Sequence, residues 1–419
     1  MPTSAVCLWD LSSCSSGRTT DRAVLWTKYA TYSSVNPKIT FTFTERTKNR
    51  PLMAMDTVKS KIGHGLRLML VSILTGANAV TILLLWASCL STHLNPALYP
   101  KLSLCGLLFP VFLVLNLAFV LIWLIVSCRH ILLPIMGIIF CWNYVRDYCP
   151  INLQENIPES ASKIISYNVA SFYDDEENGL EGNKTIEYIT KSNADIVFLQ
   201  ECPPSGKKYN ELSKKMKDSG YDVRANGPLR IYSKWPFVGE NLYVNAQTNG
   251  NGTFACMVDI YGDTVVLINN HLKSNAITEK EKDDYNEALG FHDKNKVKAS
   301  GRVLLSRLSH ATEQRAEQTD SLCNLIRKYQ HYDMIVCGDM NDTPISYTYQ
   351  QISNLLNNAY EESGTGLGIS FNRKGFPVRI DHIFTSNGLK SARTFVNAKI
   401  SSSDHRPIIT NIYKSPKGK

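Results

Sequence analysis

No two cysteines in this 419-residue chain stand at CxxC spacing, and none lies in a Cys/His zinc pattern. Eleven cysteines at irregular positions make a poor disulfide framework. Of the five beyond residue 148, Cys256 and Cys337 fall inside apolar runs and read as ordinary core residues. There is no internal repeat and no low-complexity tract, so repeat arrays and biased linkers are excluded. The long C-terminal part also lacks net charge. Residues 151–419 hold 32 basic and 32 acidic residues, whereas residues 1–150 hold 13 and 5. The +8 excess therefore sits beside the apolar segments, where it reads as membrane topology more than as a nucleic-acid footprint.

Residues 1–52 are rich in Ser and Thr, show no helical periodicity, and resemble neither a secretory signal nor a transit peptide. They are expected to be a disordered tail or a gene start placed too early, because Met53 and Met55 precede "DTVKSKIGHGLR", an ordinary opening for a membrane protein. Residues 53–148 form the expected α-helical membrane region. Leu68–Leu90 is strongly apolar, and Leu102–Cys128 is a second uncharged run. Each exceeds the roughly 20 residues that span a bilayer. The run at 131–145 is apolar but short: a third span or a re-entrant segment, with the span favoured and Trp142, Tyr144 and Tyr148 at the interface. Lys59, Lys61, Arg67 and Arg129 place the N-terminus and the second connection in the cytoplasm. Three spans then put everything after residue 146 outside; two would leave it inside. The expectation is a multi-pass protein of the cell (inner) membrane with its large domain on the outer face.

After a linker at 149–162 the texture changes to short β runs between amphipathic helices, over 163–415. "KIISYNVASF", "ADIVFLQEC", "LRIYSKWPF", "FACMVDIYG", "TVVLINNHL", "RIDHIFTS" and "ARTFVNAKI" read as strands. "NKTIEYITKSN", "YNELSKKMKDSG" and "EQRAEQTDSLCNLIRKYQ" read as helices, and 275–315 is a charged, helical insertion that follows His271 as a lid would. Hairpin-like neighbours imply mixed or antiparallel sheets in one α/β domain.

Several of these strands end abruptly in an acid–base or metal-ligating residue. Asn168 ends "KIISYN", Glu201 follows "DIVFLQ", His271 ends "VVLINNH", and "MIVCGDMN" ends in Asp339 and Asn341. Asp381 lies in "RIDHIF", and "SSDH" supplies Asp404 and His405. Each alone has a plainer reading: a turn residue, a solvated strand end, an edge histidine, an Asx-turn before Pro344, or, for Asp381, a surface pair with Arg379. Their joint occurrence at strand ends across one domain is what points to a site.

That order resembles the endonuclease/exonuclease/phosphatase superfamily, the deoxyribonuclease I-like enzymes, over roughly 163–413; the membrane layout resembles bacterial members. The resemblance implies a four-layer α/β sandwich, two packed mixed β-sheets flanked by helices, with a metal site at one end. It also implies Asn168 and Glu201 on the metal side, with Asp404 beside the metal. His271 becomes a phosphate contact, Asp339 and Asn341 orient the nucleophile, and Asp381 orients His405.

The chemistry of these residues agrees. Mg²⁺ (or Mn²⁺) takes oxygen ligands and needs one or two carboxylates plus substrate phosphate, so Glu201 with Asn168 or Asp404 suffices. Water activated at the metal would attack phosphorus and lose its proton to Asp339, while a cationic His405 donates to the phosphate; neutral His405 is the alternative base. Candidate substrates are nucleic acid, nucleotides, lipid headgroups or sugar phosphates, reached by a hydrolase held on the membrane by its N-terminal helices. The Cys-Asp-Arg signature of phosphoinositide phosphatases has no counterpart in "RIDHIF". Lys273, Lys294, Lys296, Lys298, Arg302 and Arg307 read as a solvated helix face rather than a DNA groove, given the acids among them. No protein partner is implied. The rival from another class is a binding or scaffold domain that has lost its chemistry.

Overall fold

The computed structural model of the protein describes residues 50–175, 184–246, 250–260, 262–275, 294–373 and 376–415. The expectation for residues 1–52 lies outside these up to residue 49, and so does that for the lid-like centre of the 275–315 insertion. The chain divides into two compact units, Met1–Gly63 and His64–Lys419. In the first, residues 50–63 are helical.

The second unit begins with two helices long and apolar enough to cross a membrane, His64–His93 and Pro100–Val126. Their outer faces are bare hydrocarbon, with Leu83 60% and Ile125 87% exposed. An exposed apolar surface of that kind is compatible with contact to lipid or to another protein. Between them the polar groups satisfy one another: Asn78 donates to Asn116 (3.3 Å), and Trp123 donates through its indole N–H to Asn78 (3.0 Å). A bent pair follows, Cys128–Phe140 and Trp142–Tyr148, broken by 67°. It runs back along the first helix. Arg67 reaches the carbonyl of Val126, the last residue of the second helix (3.5 Å), just before the pair begins; within the pair Gly137 accepts from Trp86 (3.0 Å) and Tyr144 meets His93 (2.8 Å).

Fourteen strands follow among the described residues: β1 (Ser162–Asn168), β2 (Ile196–Gln200), β3 (Asp222–Asn226), β4 (Leu229–Ser233), β5 (Phe237–Ala246), β6 (Gly252–Ile260) and β7 (Asp263–His271). Then come β8 (Asp333–Asp339), β9 (Asn357–Asn358), β10 (Phe371–Arg373), β11 (Phe376–Val378), β12 (Asp381–Thr385), β13 (Leu389–Val396) and β14 (Ile408–Lys414). They form two six-stranded sheets, ordered β13-β14-β1-β2-β4-β3 and β5-β6-β7-β8-β12-β9, and a small β10-β11 hairpin. Both large sheets are mixed: β1/β2 and β7/β8 are parallel and the other pairs antiparallel.

The period of two along each strand builds the layers. Ile164, Ile196, Phe198, Leu267, Ile335, Cys337 and Ile383 point between the sheets and form the central core. Their neighbours point outward: Ile165, Val197 and Leu199 meet the helices Lys184–Lys191 and Lys207–Asp218, while Val266, Ile268 and Val336 meet the helices Lys294–Lys328 and Tyr347–Ser353. Helix, sheet, sheet, helix is the four-layer α/β sandwich expected from the sequence. Strands buried on both faces read as unbroken apolar runs, which is why they are so visible there. Each fully buried Ile, Leu or Phe contributes roughly 1.5–3 kcal/mol.

Three local readings change. "LRIYSKWPF" is two strands, β4 and the start of β5, because Lys234–Pro236 turns the chain between the sheets. The described part of the charged insertion, from Lys294, and the helix after it are one continuous helix to Lys328. Arg379 does not pair with Asp381: its guanidinium donates to the Leu367 and Asp147 carbonyls and stacks over Tyr360.

Candidate active site

Along the inner faces, the alternation that fills the core ends in polar residues. Ile164-Ser166-Asn168, Ile196-Phe198-Gln200, Val265-Leu267-Asn269-His271 and Ile335-Cys337-Asp339 are each one row, apolar where it starts and polar toward the tip. The parallel pairing aligns Asn168 with Gln200 and His271 with Asp339, and antiparallel β12 brings Asp381 against Asp339 from the other side. The sheets are tied just below these tips. Gln200 donates to Asn269 (2.6 Å), and Asn269 donates to the Leu199 and Arg230 carbonyls (2.9 Å each). Such bonds offset the cost of burying amides between two sheets.

Asp339, 1% exposed, is the centre of the arrangement. Its Oδ1 accepts from the Asn341 backbone N–H (2.8 Å) and its Oδ2 accepts from Asn168 Nδ2 (3.0 Å). The same Asn168 amide donates to Glu201 Oε1 (3.0 Å), joining the two carboxylates. Nε2 of His271 lies 3.7 Å and Nε2 of His405 3.6 Å from Asp339 Oδ2. His405 donates through Nδ1 to Asp381 Oδ2 (2.8 Å). His271 donates through Nδ1 to the Gly250 carbonyl (3.2 Å), so in the neutral ring its Nε2 lone pair faces Glu201 and Asp339.

Backbone geometry is specialised here. Gly338 has φ +139°, and a side chain there would place its Cβ 1.9 Å from the Asn270 carbonyl oxygen. Only glycine lets β8 lie this close to β7. Glu201 (φ 51°) and Asn341 (φ 52°) are left-handed without being glycine, a strain of about 1–3 kcal/mol each of the kind found at functional sites. Asn341 is held by its side-chain amide to the Leu272 carbonyl (3.0 Å).

Electrostatics follow from burial and charge together. Burial works against the His405 cation, but Asp381, Asp339, the Asp381 hydrogen bond and Asp404 outweigh it and raise its pKa from 6.5 to about 10. Burial raises the pKa of Asp339 above its ordinary value, with Asp381 acting the same way and the two imidazoles and the Asn341 N–H opposing.

Two groups of three side chains have their ligand atoms within 4.8 Å of one another: Glu201, His271 and Asp339, and Asp339, Asp381 and His405. The first fits a divalent cation. It offers the Glu201 carboxylate and the His271 imidazole, with Asp339 alongside, and the Glu201 side chain is 38% exposed, open to incoming ligand. In the second, His405 is a cation whose Nδ1–H is already committed to Asp381, so it is a poor metal ligand. Asp404 lines the same cavity, half-buried, without joining either group.

All eight residues singled out from the sequence are thus brought to one cavity or its immediate support. Others carried no such signal. Arg315, on the long helix, is buried and pairs with Asp342 (3.1 Å) while donating to the Lys273 carbonyl (2.5 Å) and to Asn275 (3.1 Å). It fixes the loop after Asn341 and lines the cavity. His382 is pushed down to about 3 by burial and by the Arg379 charge; neutral, it donates to the Asp342 carbonyl (3.0 Å). Phe371 packs edge-on against His405, with ring centroids 5.0 Å apart. The cavity above the cluster measures about 370 Å³.

Comparison with known proteins bears on this site and on the segment before it. A domain of unknown function (DUF8431) matches residues 71–148. None of the curated proteins compared matches the chain. Among solved structures, an endonuclease/exonuclease/phosphatase from Beutenbergia cavernae is 15% identical over 61% of this chain and 72% of that one, with a TM-score of 0.45. The human Nocturnin catalytic domain with bound sulfate is 16% identical over 62% and 97%, at 0.43. D. rerio TDP2 complexed with a single-strand DNA product is 15% identical over 61% and 100%, at 0.42. The endonuclease/exonuclease/phosphatase family model matches residues 165–405, more than half of the 419 residues and the whole of the site just described, and the chain belongs to that family.

Proposed function

We propose that this cavity hydrolyses phosphoesters by attack of water on phosphorus, with Asp339 as the proton acceptor and His405 as a cationic donor to the phosphoryl oxygens. One observation carries the reading: Asp339 Oδ2 stands within 3.7 Å of Nε2 of both His271 and His405, while Asp381 holds the far side of His405. A carboxylate whose proton affinity is raised by burial accepts a proton from water more readily than an exposed one. Asn341 orients Asp339 through its backbone N–H, and Asn168 fixes the second oxygen. His405 presents Nε2–H toward the cavity and, kept charged by Asp381, opposes the negative charge that grows on phosphorus-bound oxygen. His271 contacts the phosphate from the other side. The bond from phosphorus to the leaving oxygen breaks, and the leaving oxygen takes its proton from solvent at the cavity mouth. A divalent cation, Mg²⁺ or Mn²⁺, held by Glu201 with Asp404 or His271 beside it, would supply neutralising charge for the phosphate and leaving oxygens; Asn168, whose amide oxygen accepts from the Ala170 N–H, would join it only by turning that oxygen toward Glu201.

A panel of phosphomonoesters and phosphodiesters tests this on the full-length protein in detergent. Turnover is expected with Mg²⁺ or Mn²⁺ and is expected to fall to background in EDTA, returning when metal is restored. Turnover unchanged by EDTA would count decisively against the metal-dependent mechanism.

The domain plan is part of the same proposal: a membrane region at 53–148, a linker at 149–162 and a catalytic domain at 163–415, with three crossings and the catalytic domain outside the cytoplasm. The return path of 128–148 along the first helix, from the Arg67 end to the His93 end, supports the third crossing. Reporter fusions after residue 160 and within the 94–99 connection are expected to report the same, extracytoplasmic side, opposite to a fusion at Arg129. Opposite sides for the first two would rule out three crossings.

A further inference from the structure

The lining of the cavity above the cluster is of two chemical kinds. One is the polar floor of Glu201, His271, Asp339 and His405. The other is a wall of Leu104, Leu107, Leu304, Leu308 and Ile345, with Phe371 beside His405. Leu104 and Leu107 come from the first turns of the candidate span Pro100–Val126. The wall is therefore built partly from a segment whose composition suits the membrane.

That segment is seated firmly on the catalytic domain. A side chain at Gly106 would put its Cβ 2.1 Å from the Ile345 carbonyl oxygen, so the two backbones touch. Ile345, 1% exposed, completes an apolar cluster with Leu85, Cys89, Phe109 and Cys141. Arg146 pairs with Glu361 (3.4 Å), and Asn152 donates to the Glu361 and Gly364 carbonyls (2.8 and 2.7 Å). The loop that follows Asn341 thus rests on the membrane region.

Charge separates the candidate substrates. A nucleic acid needs several free Lys or Arg side chains along its backbone. Among the described residues that line the cavity, Arg315 is the one Lys or Arg, and it is occupied by Asp342, the Lys273 carbonyl and Asn275. A sugar or nucleoside would meet the hydroxyls of Ser103, Thr312, Thr343 and Ser346 on part of the lining and leucines on the rest, where its own polar groups find no partner. A hydrocarbon chain would lose water there and gain contacts.

Resting on the phosphoesterase reading above, we propose that the substrate is an amphiphilic phosphoester, a lipid whose phosphate meets the polar floor while the start of its chain lies along the Leu104–Leu107 wall. The lipid enters from the end of the membrane helices rather than from bulk water.

The test is a homologous series on the full-length protein in nanodiscs: methyl, butyl and octyl p-nitrophenyl phosphates as diesters, and the matching alkyl phosphates as monoesters, each below its micelle concentration with Mg²⁺ or Mn²⁺. A fully buried methylene contributes about a fourfold gain in binding. With a partly open wall, kcat/KM is expected to rise at least tenfold from methyl to octyl. In the double variant Leu104→Asn, Leu107→Asn the octyl-to-methyl ratio is expected to fall toward one. That ratio is insensitive to how much of the variant is folded. A flat series in the unaltered protein, a ratio that survives the double substitution, or faster hydrolysis of a single-stranded oligonucleotide than of the octyl ester would each overturn the lipid assignment with phosphoester hydrolysis intact. Inactivity toward every ester with metal present would overturn the phosphoesterase reading itself.

Discussion

Replacing His405 with alanine is expected to lower turnover at least about a hundredfold at neutral pH, about 2.7 kcal/mol of transition-state stabilisation. The effect is large because His405 has no substitute. It is buried, its Nδ1–H is fixed on Asp381, and its Nε2 faces the cavity beside Asp339. A pH profile separates loss of the cation from loss of packing. With its pKa raised to about 10, His405 stays charged through neutral pH, so activity should fall only as pH rises toward 10. Asp381→Asn removes the strongest support for the charge and should move that alkaline limb down by at least about one pH unit. An unmoved limb would detach His405 from the rate. Stability carries the same sign. A histidine whose folded pKa exceeds its ordinary 6.5 contributes fully below 6.5, and the contribution drains away as pH rises from 6.5 through about 10.

Asp339→Asn is expected to cost at least about a hundredfold as well, with little change in KM if substrate is held mainly by the other groups. Two losses combine. The proton acceptor disappears, and an amide cannot accept from both Asn168 and the Asn341 N–H without presenting its own NH₂ to one of them. Burial raises the Asp339 pKa, so the acid limb of the rate profile should lie above the ordinary carboxylate value of 3.8. Thermal unfolding distinguishes a catalytic loss from a folding loss: the variant should unfold cooperatively and still bind a non-hydrolysable phosphonate ester. Near-normal turnover with metal present would remove Asp339 from the mechanism.

Much of this site was legible because the fold writes it along the strands. In "KIISYN" and "MIVCGD" every second residue faces the inter-sheet core, so a polar residue in that register at the strand tip must emerge at the sandwich end. Asn168, His271, Asp339 and Asp381 all obey that rule. What the strands do not encode is who meets whom across the sheets. The residues alone left Asp381 open to a surface pair with Arg379, and only the resemblance gave it to His405; in the fold it accepts from His405, 24 residues on, while Arg379 reaches the Asp147 carbonyl. Arg315 was hidden in a charged helix where a buried arginine looks like an exposed one. β3 carried no signal because it is an edge strand, exposed or half-exposed along its length. Nor could apolar runs reveal that Leu104 and Leu107 line the cavity, since their segment reaches Ile345, at Gly106, only across a long stretch of sequence.

Hydrolysis in ¹⁸O-labelled water tests the central claim most directly. With Mg²⁺ or Mn²⁺, the full-length protein is predicted to place one ¹⁸O atom on the phosphorus-containing product and none on the released alcohol, and His405→Ala is predicted to slow the incorporation at least about a hundredfold. Label in the alcohol, or undiminished incorporation by His405→Ala, would contradict attack of water on phosphorus at this site.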